Sequence, residues 1–158
     1  MAYSPKAWAE SDPITPTDLN RIETGVDDVT DDVDTHLAAH LEAWKEIGGS
    51  GNPAFTNNWS NYGSGSTAAF RKNGDGMVSL KGFIKHSTGT ANPTTAAFTL
   101  PEGYRPTTTL ILSATIALST GMVGARIVVG TDGTVRPDRA GATEILWVTL
   151  DGLSFHTT

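Results

Sequence analysis

The sequence predicts a mainly β protein with an N-terminal α-helical coiled coil and a C-terminal β-sandwich head of jelly-roll type, assembled as a homotrimer. Three observations predict it. An apolar seam at heptad spacing runs through the first third of the chain. Short alternating apolar runs, separated by Gly and Asp turns, fill the rest. The composition of the 158 residues, with 38% hydrophobic, 18% charged and 17 glycines, suits short strands and many turns better than a helical globule.

The chain divides into an attachment segment (1–15), a coiled-coil stalk (16–47), a Gly-rich linker (48–51) and a head (52–158). Thr15-Pro16-Thr17-Asp18 has the chemistry of a helix start: Thr15 caps, Pro16 fits the first helical position, and Asp18 places a carboxylate where the helix dipole favours it. Leu19, Ile22, Val26, Val29 and Val33 then recur at steps of three and four, an a/d seam that His36 and His40 continue. Leu37, Leu41 and Trp44 follow Val33 as a stutter in that seam. Gly25 and the run of aspartates from Asp27 to Asp34 are poor helix formers, so the helix needs partners to bury its seam. β-Branched residues at both a and d disfavour two strands, which predicts a trimer.

In the head, Thr67–Lys72 and Met77–Lys85 flank Asn73-Gly74-Asp75-Gly76, a hairpin signal. Leu110–Leu118 and Met122–Val129 flank Ser119-Thr120-Gly121. Asp132-Gly133 precedes a strand at Thr134–Arg136. Ile145–Leu150 and Leu153–Thr157 flank Asp151-Gly152, a two-residue hairpin candidate. With Ala96–Leu100 these make about eight strands, the number of a jelly roll.

The net charge of −6 is unevenly divided. Residues 1–50 carry three Lys/Arg against eleven Asp/Glu, and residues 51–158 carry eight against six. An acidic first third repels nucleic acid and anionic membrane, so neither is an expected partner. The absence of cysteine rules out disulfides and thiolate metal sites. Pro5, Glu10 and Asp12 interrupt any apolar core of a signal peptide, which predicts synthesis in a cytoplasm.

Two regions resemble the phage tail-fibre and receptor-binding (baseplate or tail-tip) protein family. Trp8 and the string from Asp12 to Val26, with Asp18-Leu19-Asn20-Arg21-Ile22-Glu23 at its centre, is similar to the opening of many tail and baseplate proteins. The head is similar through Val78–Ile84, through Leu100-Pro101-Glu102-Gly103-Tyr104-Arg105-Pro106, through Asp132-Gly133-Thr134-Val135, and through Trp147–Phe155. The resemblance implies a homotrimer on the virion that attaches to host cell-surface saccharide and contacts other virion proteins through its N-terminal segment. A short stalk without a separate shoulder departs from the longest members. That leaves a second reading open, a structural decoration or adaptor protein of the virion with no receptor role.

For a ligand, Trp59, Tyr62 and Tyr104 offer stacking faces, while Asp132, Arg136, Asp138 and Arg139 offer hydrogen bonds from loops. Arg136–Gly141 is the loop favoured for contact, and Trp147, inside an apolar strand, reads as core. His36 and His40 would form axial rings able to hold a metal or an anion, or would be a polar layer that sets register. No nucleophile or phosphate-loop string is present, and the few head carboxylates sit in turns, so neither an enzyme nor a cofactor is expected.

Overall fold

The structure, a computed structural model, describes residues 13–40, 42–63, 65–87, 95–138 and 145–157, with the side chains of 36–39 left aside. The chain forms two units, residues 1–40 and 41–158. The first contains one helix, α1 (Pro16–His40).

A reciprocal cap begins α1. Asp18 N donates to Thr15 Oγ1 at 3.3 Å, and Thr15 N donates to Asp18 Oδ2 at 3.1 Å. The Thr15 hydroxyl adds a third bond to the same carboxylate at 2.5 Å, and Asp18 is buried. Within the helix, Thr24 and Thr30 donate back to Asn20 O and Val26 O at 2.9 Å each, which satisfies their hydroxyls on the helix itself. The seam residues Leu19, Ile22, Val26, Val29 and Val33 lie between 47% and 62% exposed. Such a face on an isolated chain is uncovered apolar surface.

α1 ends at His40, seven residues before the sequence expectation. The residues that follow are claimed by the head: Glu42 and Trp44 contact head side chains, and Lys45–Glu46 pair as a strand with Phe70 and Ala69. Tertiary pairing here overrides the helical spacing that extended the stalk to Trp44. Trp44 is therefore a head residue, not a seam residue. Leu41 and the side chains of His36 and Leu37 lie outside the described residues. His40 closes the helix half-buried.

The head contains β1 (Lys45–Glu46), β2 (Trp59–Asn61), β3 (Ala69–Lys72), β4 (Met77–Lys81), β5 (Phe83–His86), β6 (Phe98–Thr99), β7 (Leu110–Leu118), β8 (Gly121–Val129), β9 (Thr134–Asp138), β10 (Trp147–Thr149) and β11 (Ser154–His156). They form two antiparallel sheets, in the orders β1-β3-β4-β11 and β2-β5-β10-β7-β8-β9-β6. The eleven described strands thus divide four and seven, where a jelly roll of about eight strands was expected. Phe70, Val78, Leu80 and Phe155 from the smaller sheet share one core with Ile84, Ile116, Ile127 and Val148 from the larger. The alternation is plain in β4, where Val78 and Leu80 are buried between half-buried neighbours.

Two expected hairpins form. In β3–β4, Asn73 Oδ1 accepts from Met77 N at 2.8 Å across the turn. In β7–β8 the ladder runs from Leu110↔Val129 to Leu118↔Gly121. Two other readings are corrected. Met77–Lys85 is not one strand but two, broken at Gly82, because β4 pairs in the smaller sheet and β5 in the larger. Asp151-Gly152 is not a hairpin turn, because β10 and β11 belong to different sheets. The two crossings meet: Gly82 N donates to Asp151 Oδ1 at 2.7 Å, and Leu150 N donates to Gly82 O at 2.8 Å. Gly82 has φ +93°, and a Cβ there would lie 2.4 Å from Thr67 O, so the corner admits only glycine without backbone movement.

Candidate functional site

A cleft of about 470 Å³ opens on the head between the segment after β1 and the loop after β6. Its floor is apolar, formed by Phe70, Leu100, Pro53 and Pro101. Lys45, Asn52, Thr99 and Arg105 supply its polar groups, and Tyr104 supplies an aromatic wall. A cavity of this size with an apolar floor and a few convergent polar groups has the make-up of a small-ligand site.

Tyr104 is fixed from several sides. Its ring stands edge-on to Phe70, with centroids 5.0 Å apart. The ammonium groups of Lys45 and Lys72 lie 4.6 Å and 5.1 Å from the ring centroid. Its hydroxyl donates to Glu42 Oε2 at 2.6 Å and also meets Lys45 Nζ. The same Glu42 oxygen accepts from Lys45 Nζ at 2.8 Å and from Lys72 N at 3.2 Å. Burial pushes the Glu42 carboxyl up, but the bonds from Lys45, Tyr104 and Lys72 outweigh it and hold the group below its ordinary value. Burial likewise works against the Lys45 charge, and its bonds to Glu42 and Tyr104 reverse the effect, raising its pKa. For Tyr104, burial and the bond to Glu42 raise the phenol above its ordinary value.

Arg105 lies beside Gly133 of the Asp132-Gly133 turn. Its Nε donates to Leu100 O at 3.0 Å. A Cβ on Gly133, which has φ +86°, would lie 2.4 Å from Leu100 O and 2.9 Å from Arg105 Nε. Glycine at that position therefore makes room for the side chain. Asp132 Oδ1 accepts from Thr134 N at 3.0 Å and from Thr134 Oγ1 at 2.7 Å. Those bonds, with a smaller contribution from the Arg105 charge, hold the Asp132 carboxyl below its ordinary value.

The residues singled out in the sequence scatter. Tyr104 lines the cleft, and Asp132 is not among its lining residues. Trp59 is buried in the core and edge-on to His86 at 5.3 Å, so it has no face to offer a ligand. Arg136 and Asp138 lie on β9, paired with β8, rather than in a loop. Asp138 forms an ion pair with Arg126 at 2.8 Å. Arg139 lies outside the described residues. Tyr62 is 42% exposed and approaches Trp147, with ring centroids 6.2 Å apart, while Phe83 stands 5.3 Å from the same tryptophan. Because Val148 and Ile84 point into the core, Trp147 and Phe83 face outward, and the core reading of Trp147 is corrected. Lys45, Asn52 and Arg105 were missed: only the tertiary pairing of β1 with β3 brings Lys45 to Tyr104.

No known family model matches the chain, and no curated protein matches it. Among solved structures, the receptor binding protein (gp15) of Listeria phage PSA is similar in fold. The match has a TM-score of 0.62 at 17% sequence identity and covers 92% of this chain and 89% of that one. The shared property is the fold.

Proposed function

We propose that this chain is a trimeric phage receptor-binding protein that attaches the virion to host cell-surface saccharide. The observation that carries the reading is the fold shared with a phage receptor binding protein over nearly the whole of both chains. Two features support it. The exposed seam of α1 is a surface for two further copies of the helix, with apolar residues at the spacing a coiled coil buries. The cleft beside Tyr104 offers each head one small-ligand site, and three weak sites on one trimer act together through avidity.

The role is binding rather than catalysis. Four of the described head carboxylates, Glu42, Asp132, Asp138 and Asp151, each hold a structural hydrogen bond or ion pair, to Tyr104, Thr134, Arg126 and Gly82 N respectively. The place of action is the virion surface, with the N-terminal segment as the contact to other virion proteins.

The test is saturable binding of the fluorescently labelled chain to a panel of bacterial cells that includes Listeria. Binding that is lost after periodate oxidation of the cell-surface glycans supports the reading. Absence of binding across the panel, or binding indifferent to periodate, contradicts it.

A further inference from the structure

We propose that the cleft beside Tyr104 selects a sugar or polyol that carries an anionic substituent, a carboxylate or a phosphate. The inference rests on the receptor-binding reading and names the ligand class of its site. The cleft walls include two cationic side chains, Lys45 and Arg105, and no carboxylate. Their counter-charges stand outside it. Glu42 holds Lys45, and Asp132 lies within electrostatic reach of Arg105, but neither carboxylate is among the cleft walls. The ligand would therefore meet donors, while the carboxylates near them stand outside the cleft.

Arg105 is built in, not draped. Its Nε is engaged by Leu100 O, which fixes the guanidinium plane and leaves the two terminal nitrogens as donors for a forked bond to carboxylate or phosphate. Gly133 leaves room for this arrangement, because a Cβ there would crowd both Leu100 O and Arg105 Nε. Asn52 and Thr99 add neutral hydrogen-bonding groups suited to ring hydroxyls, and Tyr104 adds an aromatic wall. An anionic group on a sugar satisfies every polar wall of the cleft at once. A neutral sugar offers the guanidinium only hydroxyl acceptors, without the charge-assisted forked bond.

The experiment is a titration of the intact, isotopically labelled chain with glucose, glucuronate and glucose 6-phosphate, read by backbone amide shifts. The expected result is that at least one anionic sugar moves the amides of Asn52, Tyr104 and Arg105 and binds about tenfold more tightly than glucose. The glucuronate and phosphate arms decide which anion is preferred. Arg105→Gln, with its amide spectrum otherwise preserved, is expected to remove that preference. Equal binding of all three sugars, or no shift at the cleft with any of them, overturns the proposal. Retained anion selectivity in Arg105→Gln overturns it as well. If the chain binds cells yet shows no anion preference, this inference fails and the receptor-binding reading stands. If it binds anionic sugars but no cells, the reverse holds.

Discussion

Gly82→Ala is expected to destabilise the head far more than Gly152→Ala, although the two glycines sit at adjacent sheet crossings with similar backbone angles, φ +93° and +80°. The pair separates two effects. At Gly152 nothing lies within 4 Å of an added Cβ, so alanine there meets only the left-handed backbone cost, about 1 kcal/mol. At Gly82 the added Cβ also meets Thr67 O at 2.4 Å, Thr67 C at 2.6 Å and Ala68 Cα at 2.7 Å. All three are backbone atoms beside β3, and Gly82 is pinned on the other side by its bonds to Asp151 and Leu150. Relief requires the strand to move, which adds about 2–3 kcal/mol and brings Gly82→Ala to about 3–4 kcal/mol. Against a typical total of about 5–15 kcal/mol, that is a large share. Urea unfolding followed by tryptophan fluorescence, at one protein concentration for all variants, reads the difference. With slopes of about 1–3 kcal/mol/M, the midpoint of Gly82→Ala falls about 1 M or more below that of Gly152→Ala. Midpoints that coincide would refute the close-approach reasoning and leave only backbone conformation.

Three further outcomes are expected. Val26→Asp places a carboxylate in the α1 seam and is expected to lower both the solution mass and the helical circular dichroism signal while the head stays folded. Tyr104→Phe keeps the ring against Phe70 but removes the hydroxyl from Glu42, a loss of about 1 kcal/mol in denaturant unfolding, whereas Tyr104→Ala loses the packing as well and costs about 3 kcal/mol. The folded pKa of Glu42 lies below its ordinary value of 4.5, so its contribution is present above that value and is lost as pH falls through the folded pKa. Glu42→Gln is accordingly expected to flatten the loss of head stability below about pH 4.5, measured as melting temperature against pH.

Much of the fold was legible wherever a signal is local. Thr15 caps α1 as its type and position predict, and the β7–β8 hairpin runs over the residues whose alternation announced it. The errors share one physical cause. A Gly or Asp-Gly between two apolar runs marks a change of direction, but it does not say which sheet the next strand joins. At Gly82 and at Asp151-Gly152 the chain leaves one sheet for the other, and partners distant in sequence settle the matter. Trp44 shows the same limit. Its spacing from Leu41 fits a helix, yet it lies between the charges of Arg71 and Lys81, 4.4 Å and 4.6 Å from its ring centroid. The cleft was half legible: Tyr104 stood out in its Pro-flanked turn, whereas Lys45 and Glu42 meet it only across about sixty residues of chain. Nothing in local periodicity encodes such a meeting.

Avidity depends on the number of heads, so the proposal that three helices close the exposed α1 seam is the point on which the account turns. The measurement that tests it most directly is the solution mass of the intact chain, by light scattering on a sizing column at neutral pH. The account predicts three times the 16.6 kDa of one chain. A mass of one chain would contradict it, leaving Leu19, Ile22, Val26, Val29 and Val33 in water without partners.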